Sequence, residues 1–148
     1  STIREAQQFA LGGTVSGAYA YAVRFNGIGS FLWYRLAAMQ EGGPDGLLDL
    51  GFFPDIFRDI KIQEDIYFSI GCFDGGINYP ATGHINIGFI PPHPLAFATI
   101  FPEERICAEK AYVCVYKYND LNLRWLIETD VRTGVVNLMA RSATTTCP

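Results

Sequence analysis

Charge is scarce in this chain. Asp, Glu, Lys and Arg make up 18% of the 148 residues, against roughly 25% in an ordinary soluble domain. The 11 Lys and Arg are outnumbered by 15 Asp and Glu, and no polybasic cluster occurs. A protein that neutralises nucleic-acid phosphates or coats an anionic membrane needs the reverse balance, so neither nucleic acid nor a membrane surface is an expected partner. Apolar runs are short as well. Phe31 to Tyr34 and Ile85 to Pro92 fall far below the ~18 residues of a membrane span, so no membrane insertion is expected. Low-complexity linkers and repeats of solenoid or propeller period are also missing, and the length reads as one domain.

The motifs of catalysis are absent too. No G-x-S-x-G elbow surrounds a serine, and Gly27-Ile28-Gly29 lacks the third glycine of a dinucleotide fingerprint. Histidine is limited to His84 and to His93 within Pro91-Pro92-His93-Pro94, both read as structural or solvated. With no Cys-x-x-Cys and no Cys/His cluster, zinc is disfavoured. The acids between Glu41 and Asp74 are spaced too widely for a calcium loop. Catalytic residues, metal ligands and cofactors are therefore expected to be none. Those acids do concentrate, eight of them against Arg58 and Lys61 alone. They read as a solvated edge or as one half of a self-complementary contact. A carboxylate-dependent glycoside hydrolase stays as a second alternative, because two carboxylates leave no compact motif.

What the chain does have is apolar mass, 49% of residues, arranged in period-two alternation between clusters of Gly, Pro, Asn and Asp. That pattern belongs to half-buried strands. In Ala18 to Phe25, Tyr19, Tyr21, Val23 and Phe25 share one face, and Ala18, Ala20 and Ala22 make the other face flat and small. Ile66, Phe68, Ile70 and Cys72 point inward from Asp65 to Phe73, and Ile85, Ile87 and Phe89 from Gly83 to Phe89. Lys110 to Tyr118 and Asn122 to Thr129 carry apolar atoms on both faces. Gly134 to Ala140 supplies a last strand after a turn at Arg132-Thr133-Gly134, and Asn119-Asp120 fits a hairpin. Phe31 onward reads as a strand ending near Leu36. Segments 41–55 and 90–105 hold most of the prolines and are expected to be loops or edges. The fold expected is all-β: a single antiparallel β-sandwich or jelly-roll-like domain over residues 14–148, preceded by a short N-terminal arm or helix over 1–13. Within that arm Thr2-x-x-Glu5 is a capping box, Gly12-Gly13 a stop, and Ile3, Ala6, Phe9 and Ala10 one helical face.

Four cysteines, Cys72, Cys107, Cys114 and Cys147, suit one or two disulfides in an oxidising compartment. Cys107 with Cys147 is the favoured pair, because both lie outside the predicted strands. Ser1 follows no charged leader and apolar run, which fits removal of either a signal peptide or Met alone. Asp74-Gly75-Gly76-Ile77-Asn78-Tyr79-Pro80 gathers the residue types that hold sugars, so Asp74, Asn78 and Tyr79 with nearby His84 form the candidate glycan site of a secreted binding or adhesin module. Asn78-Tyr79-Pro80-Ala81-Thr82-Gly83 leading into a strand resembles jelly rolls of the complement and tumour-necrosis type, over a stretch too short to assign a family. The apolar surplus and the two-sided strands point instead to subunit contacts. The leading expectation is a non-enzymatic structural subunit of a homo-oligomeric filament, tube, shell or surface appendage, extracellular, at the cell surface or on a virion. Its partners are copies of itself, with glycans as the alternative. The expected interface residues are Ile3, Phe9, Leu11, Ala18, Ala20 and Ala22, with the arm favoured to dock on a neighbour.

Overall fold

A computed structural model of the chain describes residues 2–12, 19–27, 33–40, 51–61, 66–91, 95–117 and 120–141. Among these residues one helix, α1 (Thr2–Gly12), precedes eleven strands: β1 (Ala20–Asn26), β2 (Trp33–Gln40), β3 (Gly51–Lys61), β4 (Ile66–Asp74), β5 (Ile77–Pro80), β6 (His84–Ile90), β7 (Leu95–Phe101), β8 (Arg105–Ile106), β9 (Lys110–Lys117), β10 (Asp120–Asp130) and β11 (Val136–Arg141). They form a six-stranded sheet in the order β3-β2-β1-β6-β7-β8 and a five-stranded sheet in the order β11-β10-β9-β4-β5. Every pairing is antiparallel. The chain is an all-β sandwich.

The alternation in sequence becomes the core. Tyr21, Val23 and Phe25 of β1, Leu36 of β2, and Ile85, Ile87 and Phe89 of β6 face Ile70 and Cys72 of β4 and Ala111 and Val113 of β9. Phe25 meets Phe68 edge-on across the sheets, ring centroids 5.7 Å apart and planes at 89°, a favoured aromatic geometry. The small face of β1 is covered within the chain: Ala20 and Ala22 pack with Met39 and Phe97 in a second cluster on the outer side of the six-stranded sheet. Gly88 permits this, since a Cβ there would sit 2.7 Å from both Ala22 Cβ and Phe97 Cζ. Tyr112, Cys114 and Leu126 form a third cluster behind the five-stranded sheet, which accounts for the apolar atoms on both faces of β9.

Two expectations are corrected. Residues 90–105 hold a strand rather than a long loop. β7 pairs along its length with β6 and more briefly with β8, and its flanking prolines, Pro94 and Pro102, lie just outside it. Residues 51–55 open β3, an edge strand, which is one of the two placements expected for them, and the edge tolerates Pro54 because no ladder bond is needed on its outer side. β2 runs past Leu36 to Gln40, Ala37 to Met39 continuing the ladder to β1. Ala18, Asn119, Cys147 and His93 lie outside the described residues.

α1 forms where the capping box and the glycine stop place it. Its apolar stripe docks on its own domain: Ile3, Ala6 and Ala10 join the main core. Arg4 Nη2 donates to the Val136 carbonyl at 3.0 Å and Gln7 Nε2 to that of Gly134 at 3.4 Å, tying the helix across to the start of β11.

Candidate functional site

The β4–β5 hairpin turns through Gly75 and Gly76, whose φ values of 59° and 78° suit a two-residue turn that residues with a Cβ resist. It lies against the β7–β8 hairpin, whose tip is Pro102, Glu103 and Glu104. Between them is a cleft of about 620 Å3 lined by Tyr79, Pro80, Ile100, Glu103, Glu104, Arg105 and Ile106, within the size range of small-ligand sites.

Arg105 organises its inner wall. Its guanidinium lies 3.5 Å from the centroid of the Tyr79 ring, and Nη2 is 3.5 Å from Asp74 Oδ2. Asp74 in turn accepts from the backbone N–H of Ala108 at 3.0 Å and of Glu109 at 2.9 Å. Burial pushes the Asp74 carboxyl up, but these donors, the Lys110 N–H and the Arg105 charge outweigh it and hold the group below the usual carboxylate range. Next to this knot the Cys72–Cys107 disulfide bolts β4 to the segment after β8. The favoured Cys107–Cys147 pairing is therefore corrected. The two hairpins bring the Cys72 and Cys107 Cα atoms within 5.3 Å, a proximity that no local pattern encodes. Cys114 is disulfide-bonded as well.

On the outer lip Glu103 accepts from the Thr82 hydroxyl at 2.7 Å and from the Thr82 N–H at 3.1 Å. Partial desolvation raises its pKa, and the Thr82 bonds bring it to a net lowering. That direction is opposite to what a glycosidase acid needs. Glu104 has no hydrogen-bonding or ionic partner among the described residues, and its φ of 53° is left-handed, costly for a residue with a Cβ.

The glycan constellation is split. Asp74 and Tyr79 meet around Arg105, but Asp74 is consumed by backbone donors and one Tyr79 face by the guanidinium. Asn78, its neighbour in β5, is drawn to the opposite side, where it accepts from the Tyr112 hydroxyl at 2.6 Å. His84 belongs to the other sheet and stacks on Phe101 at 4.8 Å. Burial, then the nearby Arg24, pulls its pKa down to about 4 against a small upward pull from Glu103. Glu103, Glu104, Arg105 and Ile106 were not singled out in sequence. The one local signal was acid-rich Pro102-Glu103-Glu104-Arg105, a tight turn flanked by strand residues.

The residues expected at an assembly contact are also redistributed. Ile3, Ala20 and Ala22 are buried inside their own chain and offer no surface, whereas Leu11 is 64% exposed. Of Phe9 only the helical backbone is described. A different apolar surface is open. Trp125 pairs with Val115 and Ala140, and Leu138 with Ile127, so both lie on the core-facing side of the five-stranded sheet. Yet they are 46% and 56% exposed. α1 reaches the row at Val136, which is buried, and the rows beyond it at Leu138 and Trp125 stay uncovered.

The four sheet edges differ in protection. β3 carries Pro54, four charged residues and register shifts opposite Leu36 to Met39. β8 has two residues, and β5 has four, ending in Pro80. β11 has six residues without proline and with one charge, at its end. Among the described residues it is the longest edge without proline or an internal charge, and α1 covers its start through the bond from Arg4 to Val136. No helix among the described residues is long and apolar enough to cross a membrane, and no cluster of three metal-binding side chains occurs among them. No protein family, curated protein or solved structure matches the chain.

Proposed function

We propose that this protein is a non-enzymatic structural subunit that assembles with copies of itself, outside the cell or on a virion surface, and that β11 carries the contact. The observation behind this reading is the exposed apolar surface of Trp125 and Leu138 beside a strand edge that carries no proline and no internal charge. Two large apolar side chains left about half exposed on the core-facing side of a sheet are costly in water, and covering them favours association. Pairing along β11 satisfies the free backbone groups of the edge and covers both side chains at once. The Cys72–Cys107 disulfide is compatible with an oxidising, extracellular setting.

The test is mass by light scattering or native mass spectrometry across a wide concentration range. The wild-type chain is expected as a species several times 16.4 kDa, and Leu138→Lys, which places a charge on the edge, is expected to yield folded monomer. A wild-type monomer at every concentration, or assembly unaffected by Leu138→Lys, overturns the proposal.

A further inference from the structure

We propose that the cleft between β5 and the β7–β8 hairpin binds an alkylammonium group, either a free aliphatic amine or the side chain of a lysine presented by another protein. This binding site is separate from the assembly edge and does not depend on it.

The argument begins with the shape and its lining. A cleft of about 620 Å3 has buried Ile100 at its base, Ile106 and Pro80 as exposed walls and the Tyr79 ring, held by Arg105, at its inner end. This is a surface for an aliphatic stem. Its framework is braced by the Cys72–Cys107 disulfide and by Asp74 bound to two backbone N–H groups, so little ordering is required when a ligand enters.

Charge then selects the ligand. The single cation lining the cleft, Arg105, has its charge matched by Asp74. Glu103 is oriented by Thr82, and Glu104 is left without a partner among the described residues. The base closest in effect to Glu103 is His84, which is neutral near pH 7. Lys110 and Arg132 are engaged by Glu128 and Asp130. Among the described residues the lip therefore carries two carboxylates that form no ion pair, above apolar walls. A ligand with an ammonium head and a methylene stem meets both features. An anion is repelled by the lip, and a sugar loses the aromatic face that Arg105 already covers.

Saturation-transfer NMR on the full-length protein tests this at any particle size. The probes are n-butylammonium, 1-butanol as its neutral analogue and Nα-acetyl-lysine-N-methylamide. The expected result is saturable transfer to n-butylammonium with millimolar affinity, weakened about two- to fivefold by Glu104→Gln, as loss of one exposed charge pair implies. Glu5→Gln on α1, which removes the same charge elsewhere, is expected to leave the affinity unchanged. Equal transfer to the lysine derivative identifies a protein lysine as a competent source, and binding of the free amine alone identifies a small amine. Equal binding of 1-butanol, indifference to Glu104→Gln, an equal effect of Glu5→Gln, or no saturable binding of n-butylammonium overturns the proposal.

Discussion

Removal of the Cys72–Cys107 bridge by Cys72→Ala/Cys107→Ala is expected to cost about 4 kcal/mol. The two residues are 35 apart in sequence, and closing a loop of that length removes about 13 cal/mol/K from the denatured chain. A domain of this size has roughly 5–15 kcal/mol of net stability, so the variant loses a large share of it. Urea denaturation reads the loss as a lower midpoint with a slope that rises, because the freed chain exposes more surface on unfolding. A loss under about 1 kcal/mol would refute the reasoning, since it would mean that Asp74 and the surrounding ladder already restrict the denatured chain as fully as the bridge does.

Stability alone does not identify the pairing. A bridge from Cys107 to Cys147 would close a loop of about 40 residues and differ by only about 0.1 kcal/mol in the same relation. Peptide mapping without reduction does identify it. Trypsin cuts after Lys61, Arg105, Lys110, Lys117 and Arg141, which puts each cysteine on its own peptide. Ile62–Arg105 joined to Ile106–Lys110 is the expected product, and Ile106–Lys110 joined to Ser142–Pro148 sinks the assignment.

Asp74→Asn is expected to cost about 1–3 kcal/mol at neutral pH, because two part-buried backbone N–H donors and Arg105 lose a charged acceptor. Since the folded pKa of Asp74 is depressed, its contribution is complete above the model-peptide value of 3.8 and fades as pH falls through the lower folded value. Urea midpoints of wild type and variant should therefore converge in that acid range; a constant gap refutes the linkage. His84 has a folded pKa of about 4 against 6.5 when unfolded, so its burial costs stability as pH drops from about 6.5 toward 4, by about 1–3 kcal/mol. His84→Gln should flatten the stability profile in that window, and an unchanged slope counts against it. Gly88→Ala should cost about 1–3 kcal/mol by driving a methyl into Ala22 and the Phe97 ring. In a Phe97→Leu background the same change should cost less, the approach to Ala22 remaining, and strict additivity of the two denaturation shifts would show that ring and glycine do not touch.

Faces were legible in sequence because they are a local property. Tyr21, Val23 and Phe25 alternate with Ala20 and Ala22, and any sheet that buries the larger set sends the alanines to the opposite side. The α1 stripe was legible for the same reason. Where a stripe docks is a relation between distant segments. Ile3 could have met a neighbour as readily as its own core, and bonds from Arg4 and Gln7 to residues more than 120 positions away decide for its own chain. β7 was hidden by its flanking prolines, which made a seven-residue strand look like part of a long loop.

The candidate cleft shows the same division most sharply. The turn Asp74-Gly75-Gly76-Ile77 was recognisable, and so was the chemistry that Asp74 and Tyr79 offer, but their roles depend on Arg105, more than 20 residues further along the chain. Arg105 takes the ring face and the carboxylate together and converts two apparent ligand contacts into scaffold. The unbalanced charge moves to Glu103 and Glu104, on the opposite lip. Neither glutamate is distinguishable in sequence from the other exposed acids, because what singles them out is the lack of a cation within reach. Among the described residues that lack rests on Asp74, which matches the charge of Arg105, the cation that lines the cleft. Lys110→Met, which frees Glu128 without altering the cleft lining, should therefore leave amine binding at Glu104 unchanged. Arg105→Met should loosen the Tyr79 wall as well as remove a positive charge, so its effect is read in the ratio of 1-butanol to n-butylammonium binding. If Arg105 serves as scaffold, the variant loses selectivity for the ammonium by admitting the neutral analogue; if Arg105 acts only as a charge, n-butylammonium binding tightens and 1-butanol is still rejected.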